Sequence, residues 1–402
     1  DNSTPTFAMM ATTLHMAAHL LLPGLAAWCF FRSRWRLAWL IMLATMAVDL
    51  DHLLADPIFD PERCGIGFHP LHSYPAIGLY IVALAFKPLR VVAVGLLLAG
   101  MGPFDAVAHA FSTASTGGFS TRDASIGHWD SVAIEGVVLV AMIIGGASFA
   151  LHNRALRERR FGYSRDPEFR TYVAVLGLAA GLITVLLVGD QIGVLRALRS
   201  AVFNVVAMGT SSGFSNATGA GTAGDFGGWA SGPQMVLLLL MVFGGCTGST
   251  SGGVKVMRLR VGIGHAYRTL RSLRRPRALL PVRLGSTSIS DSMVERIAGF
   301  MVVYGLLVVG GTLVVAALGV DLVSAFGGVI SALGNMGPAL GEAGPTASYA
   351  DAYPAPARMV LAVLMLIGRL EIFPMLLMLV APYRALDGAT RGMRIRIRGT
   401  HR

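Results

Sequence analysis

Ala114-Ser115-Thr116-Gly117-Gly118-Phe119-Ser120, Gly209-Thr210-Ser211-Ser212-Gly213-Phe214-Ser215 and Gly334-Asn335-Met336-Gly337-Pro338-Ala339 are three Gly-centred turns, each between a short amphipathic stretch and a long apolar run. A turn between membrane spans exposes backbone that lipid cannot satisfy. It survives at membrane depth only if protein buries it or it lines a watery path. Rings of such carbonyls are how cation filters are built. Gly118, Gly213 and Gly337 hold the same place in the turns, and Gly permits the φ > 0 that an extended, carbonyl-lined loop needs. An ordinary extracellular loop explains any one turn; three in matching positions favour a common role. A fourfold filter needs four turns, and the sequence offers three.

The surrounding composition sets the solvent. The chain has 402 residues, of which 54% are hydrophobic and 14% charged, with a mean hydropathy of +0.63, as expected of an all-α integral membrane protein. Its net charge is +11, and Lys occurs only at Lys87 and Lys255, so Arg supplies nearly all the excess. Because the Arg falls between apolar runs, the positive-inside rule accounts for it better than nucleic-acid binding does. Cys29, Cys64 and Cys246 form neither a disulfide framework nor a CxxC zinc pattern. The first apolar run leads straight into others, so no cleavable signal peptide is expected.

Apolar spans are read near 14–31, 37–50, 74–86, 89–101, 131–151, 171–189, 233–257, 297–318 and 358–382. Basic clusters at 154–170, 255–283 and 384–402 place those ends in the cytoplasm, leaving 190–232 and 319–357 outside. The stretches before the turns, 104–115, 195–208 and 322–333, are too short to cross roughly 30 Å of hydrocarbon. As re-entrant helices they would aim their negative ends at the turns. The expected architecture is span, re-entrant hairpin, span, as in potassium channels, with three repeats of an expected four after about three N-terminal transmembrane helices. The expected domains are an N-terminal segment 1–98, repeat A at 99–151, repeat B at 169–260, a basic loop 261–292, repeat C at 293–385 and a basic tail 386–402.

Gly244-Gly245-Cys246-Thr247-Gly248-Ser249-Thr250-Ser251-Gly252-Gly253-Val254-Lys255 interrupts the apolar run after Pro233. Each interior Gly costs a helix up to about 1 kcal/mol, so the span should break there. A cytoplasmic loop after a short span is the alternative. Arg369 and Glu371 lie inside the last span, where ionised groups usually face a pore or each other.

Residues 99–385 resemble the membrane subunit of bacterial Trk and Ktr potassium-uptake systems. The resemblance is carried by Pro103-Phe104-Asp105, His109-Ala110-Phe111-Ser112-Thr113, the first turn, the 248–255 run, Asn335-Met336-Gly337-Pro338 and Gly368-Arg369-Leu370-Glu371. It implies a potassium filter made by Thr116, Gly117, Gly118, Phe119, Ser211, Ser212, Gly213, Phe214, Asn335, Met336, Gly337 and Pro338, with K+ at the three central glycines. It implies an intramembrane gate of Gly244, Gly245, Gly248, Ser249, Gly252, Gly253 and Lys255, with Arg369 near the pathway. It also implies a homodimer in the bacterial inner membrane and a cytosolic nucleotide-binding ring docked on basic loops such as 255–283.

The N-terminal segment has a different pattern. His15, His19, Asp49, Asp51, His52, His69 and His72 are ligand types for a divalent metal. The stretch 12–98 resembles a small uncharacterised bacterial membrane family with an Asp-x-Asp-His signature, distantly similar to metal-dependent membrane hydrolases. Polar residues satisfying one another are the alternative. Lys87-Pro88-Leu89-Arg90 leaves a shortened span before Pro103, so a fusion point is expected near 95–101. Potassium uptake is therefore the leading expectation, a non-enzymatic function; an N-terminal hydrolase or an inert scaffold are the others.

Overall fold

The structure is a computed structural model that describes residues 87–158, 162–275, 280–285 and 287–369. These belong to a compact unit that begins at Lys87, ahead of the expected 98/99 boundary. The segment carrying His15 to His72, and Glu371, lie outside the described residues.

The described residues are mostly helical, and nine helices form three triplets. The first holds α1 (Lys87–Leu98), α2 (Pro103–Ala114) and α3 (Val132–Gly145). A short α4 (Phe149–Arg157) follows. The second triplet holds α5 (Pro167–Gly189), α6 (Val194–Gly209) and α7 (Ser231–Phe243). After α8 (Val256–Arg274) comes a two-stranded hairpin, β1 (Arg283–Leu284) with β2 (Thr287–Ser288), antiparallel. The third triplet holds α9 (Asp291–Ala317), α10 (Leu322–Gly334) and, beyond the one-turn α11 (Tyr349–Ala352), α12 (Ala355–Arg369).

Within every triplet all three helices touch one another, and α3 packs on α6 and α7 on α10 between triplets. The starts follow from local chemistry. Asp166 accepts from Phe169 N–H at 2.8 Å with Pro167 in the first turn of α5, and Asp321 accepts from Ser324 N–H at 3.1 Å to cap α10. Pro103 opens α2.

Two described helices are long and apolar enough to cross a membrane: α5, with 23 residues, and α9, with 27. At 1.5 Å per residue they measure about 35 and 40 Å. Leu178, Leu182 and Val185 of α5, and Val302, Leu306, Val309 and Leu313 of α9, stay exposed at helical spacing, an apolar stripe suited to lipid. The inner faces join one core with Ile183, Leu187, Val315 and Val329.

Two expected spans differ. The run at 131–151 is not one helix: α3 stops at Gly145 and α4 leaves at 96°. The break frees carbonyls and N–H groups that the glycine-rich loop uses, as Cys246 N–H donates to Gly146 O at 2.8 Å and Phe149 N–H to Gly248 O at 2.9 Å. The run at 89–101 forms a helix of 12 residues that includes Lys87 and Pro88 and ends at Leu98, with Gly100 at φ +105°. The run at 233–257 breaks in the glycine-rich stretch, as expected: the 13-residue α7 begins at Ser231 and stops at Phe243, and helix resumes only at Val256.

One buried charge ties the first two triplets together. Glu135 on α3 takes a two-pronged bond from Arg199 on α6, at 3.0 and 2.9 Å, and Arg199 also reaches Asp130 at 2.8 Å. Glu135 is buried, and so large an apolar neighbourhood tolerates a carboxylate only when it is paired.

Candidate ion-conduction site

The three short helices α2, α6 and α10 end alike. At each end one N–H bonds back three residues and the next bonds back five: Thr116 to Thr113 O and Gly117 to Ser112 O; Ser211 to Met208 O and Ser212 to Ala207 O; Asn335 to Ala332 O and Met336 to Ser331 O. This pair of bonds is the Schellman close of a helix, whose turning residue must be left-handed. Here that residue is never Gly: Thr116, Ser211 and Asn335 sit at φ 52°, 53° and 53°. Holding Ser or Thr there stores strain of order 1–3 kcal/mol, which the surrounding packing must impose. The helix carbonyl ends, with their partial negative charge, face the turns.

Two residues further on stand Gly118, Gly213 and Gly337, at φ +69°, +77° and +101°. Their conformation alone explains Gly, but the packing adds a second reason. A Cβ on Gly118 would lie 1.9 Å from Ser212 O, and one on Gly213 would lie 1.7 Å from Met336 O. Each carbonyl belongs to the residue just before the next loop's glycine. The loops thus interlock in the order first, second, third, and only a bare Cα lets neighbouring backbones close so far. A Cβ on Gly337 would meet nothing within 4 Å among the described residues. The three glycines together line one cavity of about 260 Å3 with Ser120, Ser215 and Pro338.

Of the other turn residues, Thr116, Ser211, Ser212, Phe214 and Met336 are buried and anchor the loops, whereas Phe119 is 81% exposed.

The glycine-rich loop 244–255 lies against the helix ends of two of these turns. Gly252 N–H donates to Ser211 Oγ at 2.5 Å, and a Cβ on Gly252 would lie 2.0 Å from Gly334 O. Gly244, at φ +68°, faces Gly252 O, which a Cβ would approach to 2.1 Å, so the loop folds back on itself. Gly245 packs against Ser251 and Gly146 O, while Gly248 is exposed near Ser148 and Gly253 folds against Gly244. Ser249 Oγ donates to Cys246 O at 2.6 Å, and Lys255, at φ +75°, donates from Nζ to Ser251 O. Arg369 donates to Thr250 O at 3.0 Å, so a residue more than a hundred positions away holds the loop. Ser251, Gly252, Lys255, Tyr304, Leu333 and Arg369 are among the lining of a second cavity of about 210 Å3.

Sequence reasoning overlooked Glu168. This buried carboxylate in the first turn of α5 accepts from Thr247 N–H at 2.6 Å and Met257 N–H at 3.2 Å, bracketing the loop. In the sequence it reads as an acidic residue favoured at a helix start, within a basic cluster; its partners lie about eighty to ninety residues on. Also overlooked was the role of Asp105, which accepts from Thr121 Oγ1 at 2.6 Å and Arg122 at 3.1 Å and so holds the strand leaving the first turn.

No group of three or more His, Cys, Asp or Glu suited to a metal occurs among the described residues, and the divalent candidates His15, His19, Asp49, Asp51, His52, His69 and His72 lie outside them.

Residues 76–384 match the family model of TrkH, a cation transport protein. Residues 9–106 match that of DUF6122, a family of unknown function, so the two matches overlap across the expected fusion point. The Trk system potassium uptake protein TrkH of Halomonas elongata is 40% identical over 286 residues, 70% of this chain and 57% of that protein. Its Salmonella typhimurium counterpart is 36% identical over 289 residues, 71% of this chain and 58% of that protein. The crystal structure of the potassium transporter TrkH from Vibrio parahaemolyticus aligns with a TM-score of 0.67 at 36% identity, covering 77% of this chain and 65% of that one. The chain spans a little under three fifths of the length of these curated relatives.

Proposed function

The chain belongs to the TrkH family of cation transport proteins, and from that membership we propose that it carries K+ into the bacterial cell across the inner membrane. The relatives are named as potassium uptake proteins and not as enzymes. The observation that carries the reading is the interlocked set of three turns whose glycines line one cavity. In this proposal α2, α6 and α10 are re-entrant pore helices, and the carbonyls around Gly118, Gly213 and Gly337 replace the hydration shell of K+. Each triplet is then one span–hairpin–span repeat. Among the described residues nothing stands within 4 Å of a Cβ on Gly337, and on that side a fourth element would close the ring. The 244–255 loop acts as the gate: it leans on Ser211 and Gly334, below the turns, and is pinned by Glu168 and Arg369. Backbone this irregular belongs in a membrane only where it lines a cavity.

Partners follow from the same reading. The C-terminal end of the basic helix α8, where Arg271 and Arg274 are exposed, is in this proposal the docking face for a cytosolic nucleotide-binding ring, and the transporter works as a homodimer. Rubidium-86 uptake in bacteria stripped of their own potassium uptake tests the proposal, with and without a ring subunit. Saturable uptake that Na+ fails to suppress is expected. Absence of uptake under both conditions, from protein shown to reach the membrane, sinks it.

A further inference from the structure

Resting on the filter reading, we propose that the side chain nine residues before the first and second filter glycines positions the filter loop, and that His109 at that post makes the first loop proton-sensitive. His109, Asn204 and Gly328 each stand nine residues before Gly118, Gly213 and Gly337. Four residues further back stand Asp105, Ser200 and Ser324, and in all three helices a side chain donates to that residue's carbonyl. His109 Nδ1 reaches Asp105 O at 2.7 Å, and Asn204 Nδ2 reaches Ser200 O at 3.0 Å. In the third helix the post is Gly328, and the donor comes from elsewhere: Tyr353 OH reaches Ser324 O at 2.8 Å. A Cβ on Gly328 would lie 2.4 Å from that hydroxyl, so the phenol occupies the space a side chain would fill. One polar slot is thus filled by three different chemistries.

The first two posts also clasp the strand that leaves the turn. His109 Nε2 meets Ser120 Oγ at 2.9 Å, and Asn204 Nδ2 reaches Asn216 Oδ1 at 3.1 Å. The third helix uses Ser331 Oγ, which donates to Gly337 O at 3.0 Å and Pro338 O at 2.8 Å. His109 is fully buried and also joins two loops, because its ring lies 5.9 Å from that of Phe214, the residue after Gly213.

The bonding fixes the tautomer. A backbone carbonyl only accepts, so Nδ1 carries the proton, and neutral Nε2 accepts from the Ser120 hydroxyl. Ser120 Oγ in turn accepts from Arg122 N–H at 3.1 Å, so every group is satisfied. A second proton on the ring turns Nε2 into a donor. Ser120 must then swing its own hydrogen out of the clasp and toward the cavity it lines, which reverses the bond that holds the strand. The charged and titratable groups around the ring are Asp105 on the same helix, Arg122 paired to it at 3.1 Å, and His128, which meets Trp129 edge to face; Trp129 and Phe214 complete the wall without charge. Protonation therefore loosens the strand after Gly118, and the loop interlocked with it, without touching the ion.

The test is rubidium-86 uptake in competition with Na+, from about pH 8 to about pH 5, by the full chain and by His109→Asn, His109→Gln and His109→Ala. A parallel measurement compares Tm of the purified full chain in K+ and in Na+. In the native chain, preference for Rb+ over Na+ is expected to fall about tenfold on the acid side, the scale of one lost buried hydrogen bond. His109→Asn, which copies the second helix, is expected to keep the preference and lose the pH dependence. His109→Ala should lose about tenfold in preference at every pH. A selective native chain with a flat profile, or His109→Asn retaining the native profile, overturns the proposal and leaves the filter reading standing. A native chain with neither Rb+ preference nor a K+-specific rise in Tm removes the filter reading, and this inference with it.

Discussion

At the residue scale each filter glycine is fixed by its own surroundings. Gly118 and Gly213 are pinned twice, by positive φ and by a facing carbonyl, whereas Gly337 is pinned by φ alone among the described residues. Gly213→Ala must push the Met336 carbonyl away from 1.7 Å, against backbone and not a flexible side chain. It is expected to abolish rubidium uptake, while Gly337→Ala, with the cost of order 1–3 kcal/mol for a strained conformation, keeps a measurable fraction. Equal loss in both variants at equal membrane abundance counts against the interlocked arrangement. At the same scale, Arg369→Ala removes the bond to Thr250 O and is expected to raise uptake in the absence of any ring subunit. Lower or unchanged uptake would show that Arg369 does not hold a gate.

At the scale of elements, the loop after α7 is held by groups from helices distant in sequence. Glu168→Ala orphans the N–H groups of Thr247 and Met257, at roughly 1–3 kcal/mol for each buried donor left unpaired. Amide exchange across 246–257 should then speed up by about tenfold or more, with Glu168→Gln intermediate, because both N–H groups bond to the same carboxylate oxygen and an amide oxygen there still accepts from both, without the charge. An unchanged exchange rate in Glu168→Ala would show that other contacts keep the loop in place. The bend between α3 and α4 belongs to the same story, since the Gly146 carbonyl it releases is taken by Cys246 N–H. Hydropathy reads 131–151 as one span because apolar composition continues through the break.

On the scale of the whole molecule, three triplets with the same internal contacts are arranged so that their turns meet at one cavity. If that cavity leads to K+ sites, binding to the folded state alone stabilises it, by about 2.7 kcal/mol at a hundredfold excess over Kd. K+ is expected to raise the Tm of the purified chain well above the value in equal Na+. Identical values in the two salts would argue that the three turns hold no selective site.

The sequence by itself determined much of this. The turns at 114–120, 209–215 and 334–339, the short helices before them and the helix break after Phe243 are local features, set by glycine content, apolar periodicity and capping residues such as Asp166 and Asp321. Local chemistry decides them because each involves neighbours only a turn or two apart. Only the tertiary structure decided that Gly118 faces Ser212 O and Gly213 faces Met336 O, that Glu168 and Arg369 hold the 244–255 loop, and that His109, Asn204 and Tyr353 serve one slot. Those partners are separated by up to about 120 residues, and no periodicity encodes which backbone will face which. Close approach of carbonyl to glycine is a property of packed loops, and it exists only once the triplets have come together.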